Sequence, residues 1–133
     1  NKKMYEEFNQ IVKIANKTNF IKLFEFVNNV PELMAVSDVV ITKPGGLTTT
    51  ESLVSGLPMI IINPIPGQEE ENAQFLEHSN VGIWLKKQMN ITETISNFLS
   101  DDEKLKEMKE NTKKISNRNS TKDICTILEA GLN

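Results

Sequence analysis

Two short stretches of the chain carry residue types that could bind an anion and a polyhydroxylated ligand. The first is TKPGGLTTTE, from Thr42 to Glu51, where two glycines and three threonines follow an apolar run and precede a carboxylate. The second is NPIPGQEEEN, from Asn63 to Asn72, where a stiff proline loop leads into an amide and three carboxylates. Each stretch joins a predicted strand to a predicted helix, and free backbone N–H groups gather at the beginning of a helix.

The glycine pair of the first stretch predicts a phosphate site. Because Gly45 and Gly46 have no Cβ, an anion can approach their backbone closely, and the chain can also take positive φ. The helix that follows turns its free N–H groups, from about Gly46 to Thr49, toward the same place, and helix N-termini bind phosphate readily. The GxxxxGK[ST] and GxGxxG spacings are both absent. A tight strand-to-helix turn without a ligand remains the alternative.

Glu51 has two interpretations. Residues 48–51, TTTE, satisfy the capping-box pattern, in which the carboxylate folds back onto the backbone N–H of Thr48. Alternatively, Glu51 lies one turn into the helix and accepts two hydrogen bonds from a ribose diol. The sequence alone leaves both open.

The second stretch also has two interpretations. Gln68, Glu69 and Asn72 fall in about the first turn of a predicted helix. An amide beside a carboxylate suits sugar hydroxyls, which both donate and accept hydrogen bonds. The alternative is that the run of glutamates only favours the helix N-terminus through the helix dipole. Since three carboxylates repel a diphosphate, any ligand contact here is expected at a neutral sugar.

The elements that position both stretches alternate between strand and helix. Hydrophobic periodicity predicts helices at 2–16, 30–37, about 46–55 and 68–79, and strands at 20–27, 38–42, 59–63 and 81–85. Gly56 and Pro58 are expected to end the third helix. Three apolar helical patterns follow, the last marked by Ile124, Ile127 and Leu128. This alternation predicts an α/β fold with a Rossmann-like parallel sheet flanked by helices. The opening helix and the small sheet suggest that leading βα units lie outside the sequence.

Composition excludes several classes of protein. The chain has 133 residues and a net charge of -3, which suits one domain and argues against a nucleic-acid partner. No apolar run approaches the roughly 18–20 residues that cross a bilayer. Cys125 is the single cysteine and is predicted to be a buried thiol, in a reducing, cytoplasmic setting.

The string VVITKPGGLTTTESLVSGLPMIIINPIPGQEEENAQFL resembles the donor-binding C-terminal half of family-28 glycosyltransferases. The motifs that carry the resemblance are TKPGG, the glutamate five residues after the second glycine, GLP and PGQExEN. The similarity is greatest to processive diacylglycerol glucosyltransferases and monogalactosyldiacylglycerol synthases, and it is clear from about Phe20 to Leu85. It implies a GT-B fold, of which residues 1–133 would be the N-terminally incomplete donor-binding domain.

The resemblance also implies a role for individual positions in binding a UDP-sugar. The backbone at 26–27 would meet uracil, the amides at 46–48 the diphosphate, residue 51 the ribose, and residues 68, 69 and 72 the hexose. The positions are Phe26, Val27, Gly45, Gly46, Leu47, Thr48, Glu51, Gln68, Glu69 and Asn72. Lys43 is either a phosphate contact or a solvated lysine.

The implied reaction is inverting transfer of a hexose to a lipid acceptor, with no metal or other cofactor. No catalytic residue is assigned in this chain, because the general base is expected in an acceptor-binding N-terminal domain or partner subunit. The chain alone is therefore expected to be inactive. The full-length enzyme is expected to be cytoplasmic and peripheral on the inner face of the cell membrane, with the membrane contact made by that other half.

Two rival interpretations remain. One is a separate donor-binding subunit of a split polysaccharide or lipid-linked N-acetylglucosaminyltransferase. The other is a non-catalytic nucleotide-sugar-binding module. The pair Gln68 and Glu69 does not decide which hexose the donor carries.

Overall fold

The structure is a computed structural model and describes residues 1–116 and 120–131. The chain divides into two compact units, residues 1–32 and residues 33–133. In chain order, the helices and strands of the described ranges are α1 (Lys2–Ile14), α2 (Val30–Ala35), β1 (Val40–Thr42), α3 (Gly46–Val54), β2 (Met59–Ile61), α4 (Glu70–His78), β3 (Gly82–Trp84), α5 (Ile91–Leu99), α6 (Asp102–Ile115) and α7 (Ser120–Gly131).

The three strands form one parallel sheet in the order β1-β2-β3. Val40 pairs with Met59, and Ile60 pairs with Ile83, so the neighbouring strands run in register. All three residues of the central strand β2 are buried, which is typical of a parallel sheet covered on both faces. A parallel sheet with flanking helices confirms the predicted fold class.

Side chains of β2 alternate between two cores, because successive residues of a strand point to opposite faces. Met59 and Ile61 pack with Ala73 and Leu76 of α4 on one face. On the other face, Ile60 packs in a cluster completed chiefly by α5 and α6. The sheet is thereby held between two layers of helices, with the carboxyl ends of β1 and β2 at one edge.

Helix α3 ends as the sequence predicts. Gly56 has φ +74°, a conformation that an L side chain rarely adopts. Its N–H donates to the Leu53 carbonyl, and the Leu57 N–H donates to the Ser52 carbonyl. This pair of bonds satisfies carbonyls at the end of the helix and turns the chain toward β2.

The predicted strand at 20–27 is wrong. No described residue pairs with this segment as a strand, and its first residues instead turn back onto Lys17, whose carbonyl accepts from the N–H groups of Phe20 and Ile21. The alternating pattern FIKLFEFV has strand periodicity, but a strand also needs a neighbour to complete its hydrogen bonds. The described sheet consequently has three strands rather than four.

The predicted burial of Cys125 is also wrong, since its side chain is exposed. The same helix, α7, exposes Ile124, Ile127 and Leu128. The apolar stripe that suggested burial has no covering element within the described ranges. None of the helices in those ranges combines the length and apolarity that crossing a bilayer requires.

Candidate functional site

The first stretch forms a short loop between β1 and α3. Pro44 is fully buried and anchors this loop. Gly45 is the N-cap of α3, and no side chain in the described ranges caps the helix there. The first bond of the helix runs from the Thr49 N–H to the Gly45 carbonyl at 2.8 Å. The N–H groups of residues 46–48 precede that bond, so they have no acceptor within the helix.

Neither glycine of the pair is required by the backbone conformation. Gly45 has φ −65° and ψ 149°, and positive φ among the described glycines occurs at Gly56 and Gly67. The positive φ that glycine allows is therefore used at neither Gly45 nor Gly46. A Cβ on Gly46 would meet nothing within 4 Å. The backbone is therefore open at Gly46, whereas the Glu69 side chain lies close to Gly45.

Glu51 does not form the capping box. Thr48 lies inside α3 rather than at its N-cap, which is Gly45. Glu51 is exposed, and no described residue forms a hydrogen bond or an ion pair with its carboxylate. It lies one helical turn after Leu47 on the exposed side of α3, since residues four apart share a helix face. The carboxylate is thus open to a ligand.

The second stretch is braced by carboxylates at the beginning of α4. Glu69 is the N-cap residue, and its Oε2 accepts from the Ile65 N–H at 2.8 Å. The Gly67 N–H donates to Glu70 Oε2 at 3.3 Å. Gln68 is exposed and precedes α4, which begins two residues later than predicted. The loop is held without using the Gln68 side chain.

The structure brings the two stretches together. Asn72 Nδ2 donates to the Pro44 carbonyl at 2.8 Å. Glu69 Oε1 lies 3.5 Å from the position that a Cβ on Gly45 would take. Since β1 and β2 are parallel neighbours, the loops that follow them meet at one edge of the sheet, which is where open α/β sheets bind ligands.

A family model for the glycosyltransferase family 28 C-terminal domain matches residues 2–125. The chain belongs to this family. Its relatives include the processive diacylglycerol beta-glucosyltransferases of Bacillus pumilus (strain SAFR-032) and Bacillus subtilis (strain 168). The first is 42% identical over 109 residues, covering 82% of this chain and 28% of the relative. The second is 38% identical over 110 residues, covering 83% and 29%. The chain thus spans under a third of the length of these relatives.

The remaining positions that the resemblance implies, and the single histidine of this family-28 chain, differ in exposure and bonding. Phe26 is exposed and Val27 half-buried, and both belong to the unit formed by residues 1–32. Lys43 is exposed. His78 ends α4, where its Nδ1 lies 2.8 Å from the Gln74 carbonyl. The nine residues of α4 separate it from the N-cap by roughly 13 Å along the axis.

The sequence does not predict two side-chain bonds within these loops: Glu69 accepts from the Ile65 N–H, and Asn72 donates to the Pro44 carbonyl. The contact of Glu69 and Asn72 with a ligand stays a prediction. The strand order carries a signal that the loops are neighbours. Nothing in the residue spacing indicates which backbone carbonyl accepts the hydrogen bond from the Asn72 amide.

Proposed function

We propose that this family-28 chain binds a UDP-sugar and presents it for hexose transfer to a diacylglycerol-type lipid. The observation that carries the proposal is the beginning of α3, where the amides of residues 46–48 have no acceptor within the helix and a Cβ on Gly46 would meet nothing within 4 Å. Diphosphate fits such a group, because it accepts several charge-assisted hydrogen bonds of about 1.5–3 kcal/mol each. The positive end of the helix dipole adds to this attraction.

The other parts of the donor are assigned from the family resemblance, and the exposure of Glu51 and the position of Glu69 support two of these assignments. Glu51 is assigned to the ribose hydroxyls, since its carboxylate is exposed and unpartnered within the described ranges. Gln68 and Glu69 are assigned to the hexose hydroxyls. Because Glu69 is a carboxylate close to Gly45, a neutral sugar rather than a phosphate belongs beside it. The assignment of Phe26 and Val27 to the uracil depends on the family resemblance alone.

We infer that the reaction is an inverting transfer in which an acceptor hydroxyl attacks the anomeric carbon as UDP leaves. The α3 amides would stabilise the charge that develops on the leaving diphosphate, which is electrostatic preorganisation. No metal is assigned to this step. The general base and the acceptor site would come from outside these residues, so the chain alone would not catalyse transfer. The relatives named above act on diacylglycerol, which favours a lipid acceptor and a peripheral enzyme on the inner face of the cell membrane.

Gly46→Ala tests this proposal by calorimetric titration with UDP. The Cβ of a helical residue tilts toward the helix N-terminus, so the added methyl group would stand where the diphosphate is proposed to lie. Blocking even one of these hydrogen bonds is expected to weaken UDP binding by about tenfold or more. The fold is expected to be retained, because that Cβ meets nothing within 4 Å.

Thr50→Ser is the matched control, since it changes one methyl group on an exposed residue of the same helix. It is expected to bind UDP like the unaltered chain. Equal UDP affinity for Gly46→Ala and the unaltered chain would contradict the assignment of the diphosphate to α3.

A further inference from the structure

The hydrogen bond between Asn72 and Pro44 joins two segments that are 28 residues apart. Pro44 is fully buried, and Asn72 is half-buried on α4. A carbonyl oxygen can only accept, so the Asn72 atom that faces it must be the NH₂ group. The NH₂ group of Asn72 therefore donates its hydrogen bond to the loop before α3.

This bond acts on the peptide unit that begins α3. The Pro44 carbonyl and the Gly45 N–H belong to the same peptide plane. Proline fixes its own φ, and glycine has the greatest backbone freedom, so Gly45 is the point where the loop could turn. Holding the Pro44 carbonyl restricts the orientation of that plane and hence the direction in which α3 begins.

We propose that Asn72 is a positioning residue, which holds the Pro44–Gly45 peptide so that the amides of residues 46–48 face one diphosphate together. It acts through the loop and does not need to touch the nucleotide. The inference rests on the proposed function, because it concerns the same site. It differs from a hexose contact in its consequence: a hexose contact affects only donors that carry the sugar, whereas a positioning residue affects UDP itself.

The test compares UDP with UDP-glucose by calorimetric titration of the full chain. Asn72→Ala is expected to lower the affinity for both ligands by the same factor, about 3- to 10-fold, which corresponds to the loss of one hydrogen bond. Gln68→Ala, at a proposed hexose contact, is expected to weaken UDP-glucose and leave UDP unchanged. Gln74→Ala, at an exposed and uncharged residue of α4, is expected to change neither. Asn72→Leu, which is close to asparagine in size, repeats the measurement if the alanine variant unfolds.

A second measurement needs no ligand. The amide ¹⁵N and ¹H shifts of Gly45 are expected to change in Asn72→Ala and not in Gln74→Ala, because Gly45 shares its peptide plane with the Pro44 carbonyl. Unchanged UDP affinity in Asn72→Ala, with normal binding by the unaltered chain, would overturn the positioning role alone. Failure of the unaltered chain to bind UDP would overturn the proposed function and this inference with it.

Discussion

Glu51 is the side chain of the site whose role is simplest to isolate. It is exposed, and no described residue binds its carboxylate, so replacing it removes no interaction of the folded chain. The capping-box alternative depended on Thr48 being the N-cap, and Gly45 occupies that place. With no bond to the described residues, the carboxylate is available for the ribose contact that we propose.

Glu51→Gln is expected to weaken UDP binding by about tenfold, because two hydrogen bonds from the ribose lose their charged acceptor. The same titration with 2′-deoxy-UDP supplies the second side of a double-mutant cycle. Removing the 2′-hydroxyl is expected to weaken binding to the unaltered chain more than it weakens binding to Glu51→Gln. If the two losses of binding free energy are additive, Glu51 and the 2′-hydroxyl do not interact. Glu71→Gln is the control, because it changes an exposed glutamate in the same way.

For individual residues, the sequence predicts which of them lie close together at the two loops, but not which hydrogen bonds they form. The glycine pair, Glu51 and the amide of Asn72 all lie where the predicted strand-to-helix junctions place them. The reason for the glycines differs from the prediction, since positive φ is absent at both and only close approach remains. Backbone dihedrals and individual donor–acceptor pairs depend on tertiary packing, which local patterns do not encode.

At the scale of elements, the packing of α4 onto β3 requires a glycine at position 82. A Cβ on Gly82 would lie 2.9 Å from Ile61 Cδ1 and 3.1 Å from Leu76 Cβ. Both neighbours are fully buried in the core between α4 and the sheet. To accommodate the methyl group, the buried Ile61 side chain would have to change its position and Leu76 would have to shift by a few tenths of an ångström.

Gly82→Ala is therefore expected to lower the free energy of unfolding by about 1–3 kcal/mol, the usual cost of overpacking a core. Urea denaturation followed by circular dichroism measures the change. Gly46→Ala is the comparison, because its Cβ meets open space and it should leave the midpoint nearly unchanged. A midpoint for Gly82→Ala equal to that of the unaltered chain would disprove the close-packing argument.

The elements themselves were predictable where an apolar period coincided with clear stop signals. Gly56 and Pro58 mark the end of α3 correctly, and the apolar run before Asn63 marks the buried strand β2. The prediction of a strand at 20–27 failed because periodicity indicates which side chains could share a face, not whether a neighbouring strand exists. The prediction that Cys125 is buried failed for a similar reason, since burial depends on another element that covers the residue.

At the scale of the whole molecule, the alternation of strands and helices was enough to predict a parallel α/β fold. Short strand–helix connections constrain strand order and direction, so the architecture followed from the pattern. The division into units at residues 32 and 33 was not predicted, because it depends on the density of tertiary contacts. The chain covers 28% of the Bacillus pumilus relative. Under the proposed function, the acceptor site and the general base come from outside these residues.

The most direct test is a UDP titration of the full chain, followed residue by residue in ¹H–¹⁵N correlation spectra. The amide signals of Gly46, Leu47 and Thr48 are expected to shift together and to saturate at one UDP concentration. The amide of His78, at the far end of α4, should stay in place. Binding of UDP with these three signals unmoved, or no binding at all, would contradict the claim that the beginning of α3 holds the diphosphate.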